Sequence, residues 1–469
     1  MHRRDFLRLS LLASGALLTR SSSAQDAPVR LSIGDTISTV PDRFTGLSYE
    51  SRQLGDPDFF SAKNTELVKL FRLLGKGVLR IGGNTSEYCF FRADAKAPAT
   101  PISADPDKGH TAPPLTTITP QAIRNLREFL DATDWNLIYG LNLGKGTPES
   151  ESAHAKFVHE TCGPRLLQFQ IGNEPDLFPQ NGLRPRGWSF DQFAAEWKQL
   201  HDATRKRVPQ AQFAGPANAK IEWTRSFAQR FQADVNLLTQ HYYALGPASD
   251  PTMNIDRLLR SSARLQTGTI DPLTAISREM KLPWRLAETN SCYGGGKPDV
   301  SDTFASALWG VDMMFQLAAS GASGVNYHGG GNGWYTPIAG SGSSGFTARP
   351  LCYAMLMFEQ AQPQQMLSVE MPSKDPLQKA YAMRSRDGST RLALINKNAS
   401  QSQDISLPSE FARGSALALG GPALDAKSGI TLGGSEVKNA AWAPTWTTVQ
   451  SSQITLKPAS AVLITAKKG

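Results

Sequence analysis

Between about residue 45 and residue 330, short apolar runs alternate with stretches whose apolar positions recur at helical spacing. Apolar runs of four to nine residues bounded by turn residues read as buried strands, and 3.6-residue periodicity reads as amphipathic helix. The candidate strands are 44–49, 78–81, 136–143, 166–171, 211–215, 235–243, 284–287 and 324–327. Helical candidates between them include 65–74, 120–132, 190–207, 223–232 and 303–319. Eight strands, each followed by a helix, predict an α/β chain folded as a (β/α)8 TIM barrel.

After Pro350 the texture changes to strand-like segments at 380–385, 390–396, 416–419, 447–456 and 461–466, separated by Gly, Ser, Asn and Pro. Such punctuation predicts a C-terminal antiparallel β-sandwich domain. The strand-like stretch 29–40 is expected to join that sandwich from the other end of the chain. The predicted organisation is a leader over 1–24, N-terminal strand over 25–43, the barrel over 44–349 and the sandwich over 350–469.

The leader begins Arg3-Arg4-Asp5-Phe6-Leu7-Arg8, continues with apolar residues 9–18 and ends in Ser22-Ser23-Ala24. An apolar stretch of about ten residues is too short to cross a bilayer, which takes about twenty. A signal peptide is expected, of the twin-arginine type used to export folded proteins, with no membrane attachment after cleavage. Its loss removes four arginines and one aspartate, lowering the formal charge from +8 to +5. Lysines and arginines are scattered, so nothing predicts nucleic-acid recognition. Cys89, Cys162, Cys292 and Cys352 lack the short spacings of zinc or redox motifs. Neither a metal nor a cofactor is expected, and buried thiols are the expected state of the cysteines.

Two glutamates stand at the ends of predicted strands four and seven. Glu174 closes Leu167-Gln168-Phe169-Gln170-Ile171-Gly172-Asn173-Glu174-Pro175, and Glu288 closes Trp284-Arg285-Leu286-Ala287-Glu288. Catalytic groups in these barrels come from the C-terminal ends of the strands, and retaining glycosidases need two carboxyl groups, one acid/base and one nucleophile. Glu174 is assigned the first role and Glu288 the second. Asn173 is placed to bond a sugar 2-hydroxyl. On strand six, alternation sends one of Tyr242 and Tyr243 to the barrel mouth, where it can hold the nucleophile. Past Glu288, Tyr293, Gly294 and Gly295 form a turn in which glycines let backbone N–H groups approach an anion.

Asn173-Glu174-Pro175 with a glutamate on strand seven resembles the clan of retaining glycosidases. The string from Glu288 through Cys292-Tyr293-Gly294-Gly295-Gly296, followed by Ser301-Asp302-Thr303-Phe304-Ala305, is more specific. With Leu79-Arg80-Ile81-Gly82-Gly83 and Gln240-His241-Tyr242-Tyr243, it resembles the heparanase and β-glucuronidase family, glycoside hydrolase family 79. The resemblance implies hydrolysis of terminal glucuronic acid from glycans, glycosaminoglycan-like chains or plant polysaccharide fragments. It implies that Tyr293, the glycine amides and Tyr335 bind the 6-carboxylate, and that Glu50 and Asn84 contact sugar hydroxyls. Arg80 is expected to support the site through buried ion pairs.

Exo cleavage is favoured over heparanase-like endo cleavage, because the barrel loops carry no basic cluster and the Pro-rich segment 99–114 is a candidate blocking loop. A retaining glycosidase for neutral sugars on the same barrel is one alternative. A non-catalytic carbohydrate-binding protein is another, which retention of both carboxylates argues against.

Overall fold

The computed structural model describes residues 28–94 and 113–466. The expected leader and all but the last two residues of the expected blocking loop lie outside the described residues. Eight parallel strands close into a barrel: β1 (Thr45–Glu50), β2 (Val78–Gly82), β3 (Asn136–Leu141), β4 (Leu166–Ile171), β5 (Phe213–Asn218), β6 (Leu237–Pro247), β7 (Trp284–Tyr293) and β8 (Val325–Gly329). Leu47, Tyr49, Leu79, Ile81, Phe169 and Ile171 point outward into the apolar layer beneath the helices. Their neighbours point inward: Arg80 reaches across the lumen to Ser48 at 3.1 Å and Gln170 at 2.9 Å. The period-2 alternation of a strand thus yields an oily exterior and a lumen that is polar around Arg80, above a small apolar layer of Val78, Ile138, Ala214 and Leu237.

Local chemistry sets the helix starts. Thr119, Thr147 and Ser189 each accept a backbone N–H with the side chain at the head of helices Pro120–Thr133, Pro148–Cys162 and Phe190–Arg207. Each such cap is worth about 1 kcal/mol. The helix Phe304–Ala319 is buried along almost its whole length, covered by the helix Pro350–Ala361 and by the sheet beyond.

That last helix departs from the sequence reading, which began the sheet-rich region at Pro350. Its residues Leu351 to Phe358 are all buried, so no polar face marks a helical period. The sheets begin at Pro363. The larger, antiparallel one runs Ser32–Thr39, Pro363–Glu370, Gln378–Ser385, Thr390–Asn396, Ser460–Thr465, Ser415–Gly420 and Thr431–Leu432, with Thr447–Thr448 added beside Ser415 and Ala416. Facing it, Val29–Arg30, Gln403–Ser406 and Gln453–Leu456 form a second sheet. The segment 447–456, read as one strand, is therefore two strands in different sheets.

Alternation decides what each face of the larger sheet covers. Leu392, Leu394 and Ile464 meet Ile405 and Leu456 of the smaller sheet and Leu31 beside it, whereas Ala393, Ile395 and Leu463 belong to the core shared with the barrel. Lys397 and Asp312, each 1% exposed at the side chain, form an ion pair 2.5 Å long across that junction. All four cysteines are free and buried. No helix among the described residues is long and apolar enough to cross a membrane.

Candidate active site

The two glutamates reach the mouth of the barrel by different routes. Glu174 lies three residues past β4, in a left-handed conformation at φ 47° and ψ 54°. A non-glycine residue there carries strain of about 1–3 kcal/mol. Proline at 175 disfavours the right-handed alternative, and the Glu174 N–H is tied to the Ala217 carbonyl at 2.7 Å.

Glu288 is not at a strand end, since β7 continues to Tyr293. Leu286 pairs with Gln240 but Glu288 pairs with His241, so Ala287 is one residue too many for the ladder. Arg285 and Glu288 consequently both point into the lumen, where strict alternation would have turned Glu288 outward. A bulge that re-aims one side chain is the usual device beside an active site.

Glu288 is 5% exposed and surrounded by donors. Arg80 Nη1 lies 2.6 Å from its Oε2, and the Tyr243 hydroxyl donates to its Oε1 at 2.9 Å. His241 Nδ1 and His328 Nδ1 are each 3.8 Å from Oε2. Burial alone would raise the carboxyl, but His328, His241 and Arg80, with the Tyr243 hydrogen bond, leave it well below the usual carboxylate range. Burial would lower His328, and the Glu288 and Glu50 carboxylates instead push it up to about 9. Glu50, burial notwithstanding, is brought below its ordinary value by His328 and Thr85.

His241 Nδ1 is also hydrogen-bonded to Glu174 Oε1 at 3.0 Å. One ligand atom each of Glu174, His241 and Glu288 fall within 4.8 Å of one another. Such a trio has the reach to hold a metal ion, yet a divalent cation on Glu288 would sit against the Arg80 guanidinium and a His328 charged at neutral pH. The positive charge that Glu288 needs is already built in.

Most of the residues expected from sequence converge here. Asn173 accepts from Arg80 at Oδ1, 2.7 Å away, and donates from Nδ2 to Asn84 Oδ1 at 3.1 Å. Glu50 accepts from the Thr85 N–H at 2.8 Å and meets His328 Nε2 at 3.3 Å. The rings of Tyr293 and Tyr335 lie 6.1 and 6.3 Å from that of Tyr243. Tyr335 is buried and Tyr293 is 47% exposed.

The strand settles the tyrosine question: Tyr243 faces the site and Tyr242 does not. The Tyr242 ring is in the outer apolar layer under the Arg264 guanidinium, so the expected substrate contact from Tyr242 is corrected. Gly294, Gly295 and Gly296 have φ of 80°, 84° and 85°, which only glycine adopts without strain. The Gly295 carbonyl accepts the Trp334 N–H at 2.6 Å, joining this turn to the loop that carries Tyr335.

Four residues of the site escaped the sequence reading, among them His241, which was named only as part of a motif and bonds Glu174. His328 is the inward residue of β8, a position its alternation with Tyr327 would have given. Asp176, raised by burial and by the nearby Glu174 charge, caps the Ala219 and Lys220 N–H groups. Glu87, 1% exposed and pushed up to about 7 by burial, accepts the backbone N–H of Asn173 and of Gly144. No spacing signal marks the last two, because their partners are backbone amides of other loops.

Paired carboxyl groups at the C-terminal mouth of a (β/α)8 barrel, one clamped by cations, define a glycoside hydrolase. Comparison with known proteins agrees. The family described as glycosyl hydrolase family 79, N-terminal domain, matches residues 59–315, and the chain belongs to that family. It is 26% identical over 427 residues to a β-glucuronidase of Neurospora crassa, covering 78% of this chain and 74% of that protein. Against a β-glucuronidase of Aspergillus niger the identity is 25%, over 71% and 68% of the two chains. The crystal structure of a 4-O-α-L-rhamnosyl-β-D-glucuronidase from Fusarium oxysporum 12S superposes with a TM-score of 0.74 at 19% identity, over 93% of this chain and all of that one.

Proposed function

We propose that this enzyme is a retaining exo-β-D-glucuronidase. The observation that carries the reading is the Glu174–Glu288 pair, whose nearest oxygens fall within 4.8 Å. Retaining enzymes hold their carboxyl groups about 5–5.5 Å apart, and inverting ones about 6.5–9.5 Å, leaving room for a water. Glu288, kept ionised, attacks the anomeric carbon, while Glu174 protonates the departing oxygen. A glycosyl-enzyme forms, and Glu174 then takes a proton from the water that releases the sugar. Asn173 keeps one Nδ2 hydrogen for the sugar 2-hydroxyl, since Arg80 and Asn84 fix the orientation of its amide.

A uronic acid is favoured by Tyr293, Tyr335 and the glycine turn as donors to the 6-carboxylate, and by the names of the fungal relatives. The deep burial of both glutamates and of Tyr335 suits a pocket for one terminal sugar. The test uses purified enzyme on aryl β-glucuronide, aryl β-glucoside and a heparan polymer, with the first-formed anomer read by NMR. The expected result is β-glucuronic acid from the aryl glucuronide, with glucoside turnover lower by several orders of magnitude because donors aimed at the 6-carboxylate go unpaired. Inverted product, equal rates on both aryl glycosides, or rapid mid-chain cleavage of the polymer would overturn retention, uronate specificity or exo action respectively. Turnover surviving in Glu288→Ala would remove the nucleophile assignment.

A further inference from the structure

Glu87 is a buried carboxyl group that the chemistry above does not use. It sits in the short turn Asn84–Tyr88 that follows β2, and no Lys, Arg or His among the described residues pairs with it. Burying an acid without a cation is costly unless its oxygens are otherwise occupied. Here each oxygen takes one backbone N–H: Oε1 accepts from Asn173 at 2.7 Å and Oε2 from Gly144 at 2.5 Å. The first donor belongs to the loop after β4, the second to the loop after β3. Asn173 is thereby held at three points by residues of β2 and its turn, its backbone by Glu87 and its side chain by Arg80 and Asn84. The next residue is Glu174, whose own N–H is fixed to Ala217 and whose backbone is left-handed.

We propose that Glu87 is a positioning residue for the acid, setting the Asn173–Glu174 peptide so that the Glu174 carboxyl meets the leaving oxygen. The inference rests on the reading of Glu174 as acid/base. Only a side chain with two acceptor oxygens serves both loops at once. Gln at this position is nearly isosteric but offers one acceptor, and its NH2 faces the remaining N–H.

The test compares kcat/KM, which reports the first bond cleavage, for an aryl β-glucuronide with a good leaving group (dinitrophenyl) and one with a poor leaving group (phenyl). A good leaving group departs with little help from an acid. Glu87→Gln should lower kcat/KM by at least about 10-fold on the phenyl substrate and by less than about 2-fold on the dinitrophenyl one, as expected when an acid is displaced by a fraction of an ångström. Glu174→Ala is the reference and should widen the same ratio further. A ratio unchanged in Glu87→Gln while Glu174→Ala widens it would make Glu87 a structural residue only and overturn the proposal. A ratio unchanged in Glu174→Ala itself would defeat the acid assignment beneath it. Should Glu87→Gln not fold, Glu87→Asp, with a shorter reach to the same two amides, is measured under the same criteria.

Discussion

Glu174 and Glu288 are the same side chain in one cleft, yet their surroundings have little in common. Glu288 lies on a strand, aimed by a bulge, and meets a guanidinium, a phenol and two imidazoles. The Glu174 carboxyl sits on a loop and, among the described residues, has the one hydrogen bond to His241. Its backbone, not its carboxyl, is what the protein holds. A nucleophile must be charged and still, which donors on all sides provide. An acid/base must change charge twice in a cycle, and a permanent cation against it would hold it ionised.

The sharpest way to break this contrast is Arg80→Ala. It removes the permanent positive charge from a Glu288 side chain that is 7% exposed, and breaking a buried pair from one side costs about 3–5 kcal/mol. Thermal unfolding at neutral pH should register a loss of that size, with activity falling as well. A loss below about 1 kcal/mol would mean that the imidazoles alone satisfy Glu288.

Tyr243→Phe comes next. Removing a hydrogen bond to a charged group costs about 1.5–3 kcal/mol, or about 10- to 150-fold in kcat/KM. Tyr242→Phe is its control, because the Tyr242 ring lies in the outer apolar layer beside Arg264 and touches neither glutamate. Equal losses in the two variants would refute the division of strand β6 into a site face and a packing face.

The third test uses pH. His328 is raised from its ordinary 6.5 to about 9, so the protonated form is favoured by folding. Its contribution to stability is fully present below about pH 6.5 and is lost as pH rises through about 9. Melting temperature followed from pH 6 to 10 should decline over that window, and His328→Asn should flatten the decline. An unchanged slope in the variant would take His328 out of the charge cluster around Glu288.

Much of this arrangement is legible in the sequence, and the parts that are not share a cause. The barrel strands announce themselves through apolar runs, and Asn173-Glu174-Pro175 and Glu288-Thr289 mark the two carboxyl groups. Strict alternation leaves Tyr242 and Tyr243 undecided until the strand's register is known. It would have turned Glu288 away from the lumen, because one extra residue at Ala287 has no signature of its own. The helix Pro350–Ala361 is hidden by burial on every side. Glu87 and Asp176 are hidden because they bond to amides, and an amide carries no residue identity.

The pairing of Ser32–Thr39 with Pro363–Glu370 bears on how the chain is made. Ser32–Thr39 is synthesised ahead of the barrel and finds its hydrogen-bonding neighbour more than three hundred residues later, after the barrel between them has left the ribosome. Closing so distant a contact is slow compared with local pairing. Until then neither edge of Ser32–Thr39 is paired, and the native sheet covers one of them while leaving the strand at its end; such open edges are where chains associate wrongly. A chain that stops after the barrel's last helix would keep both glutamates and leave both edges of that strand open.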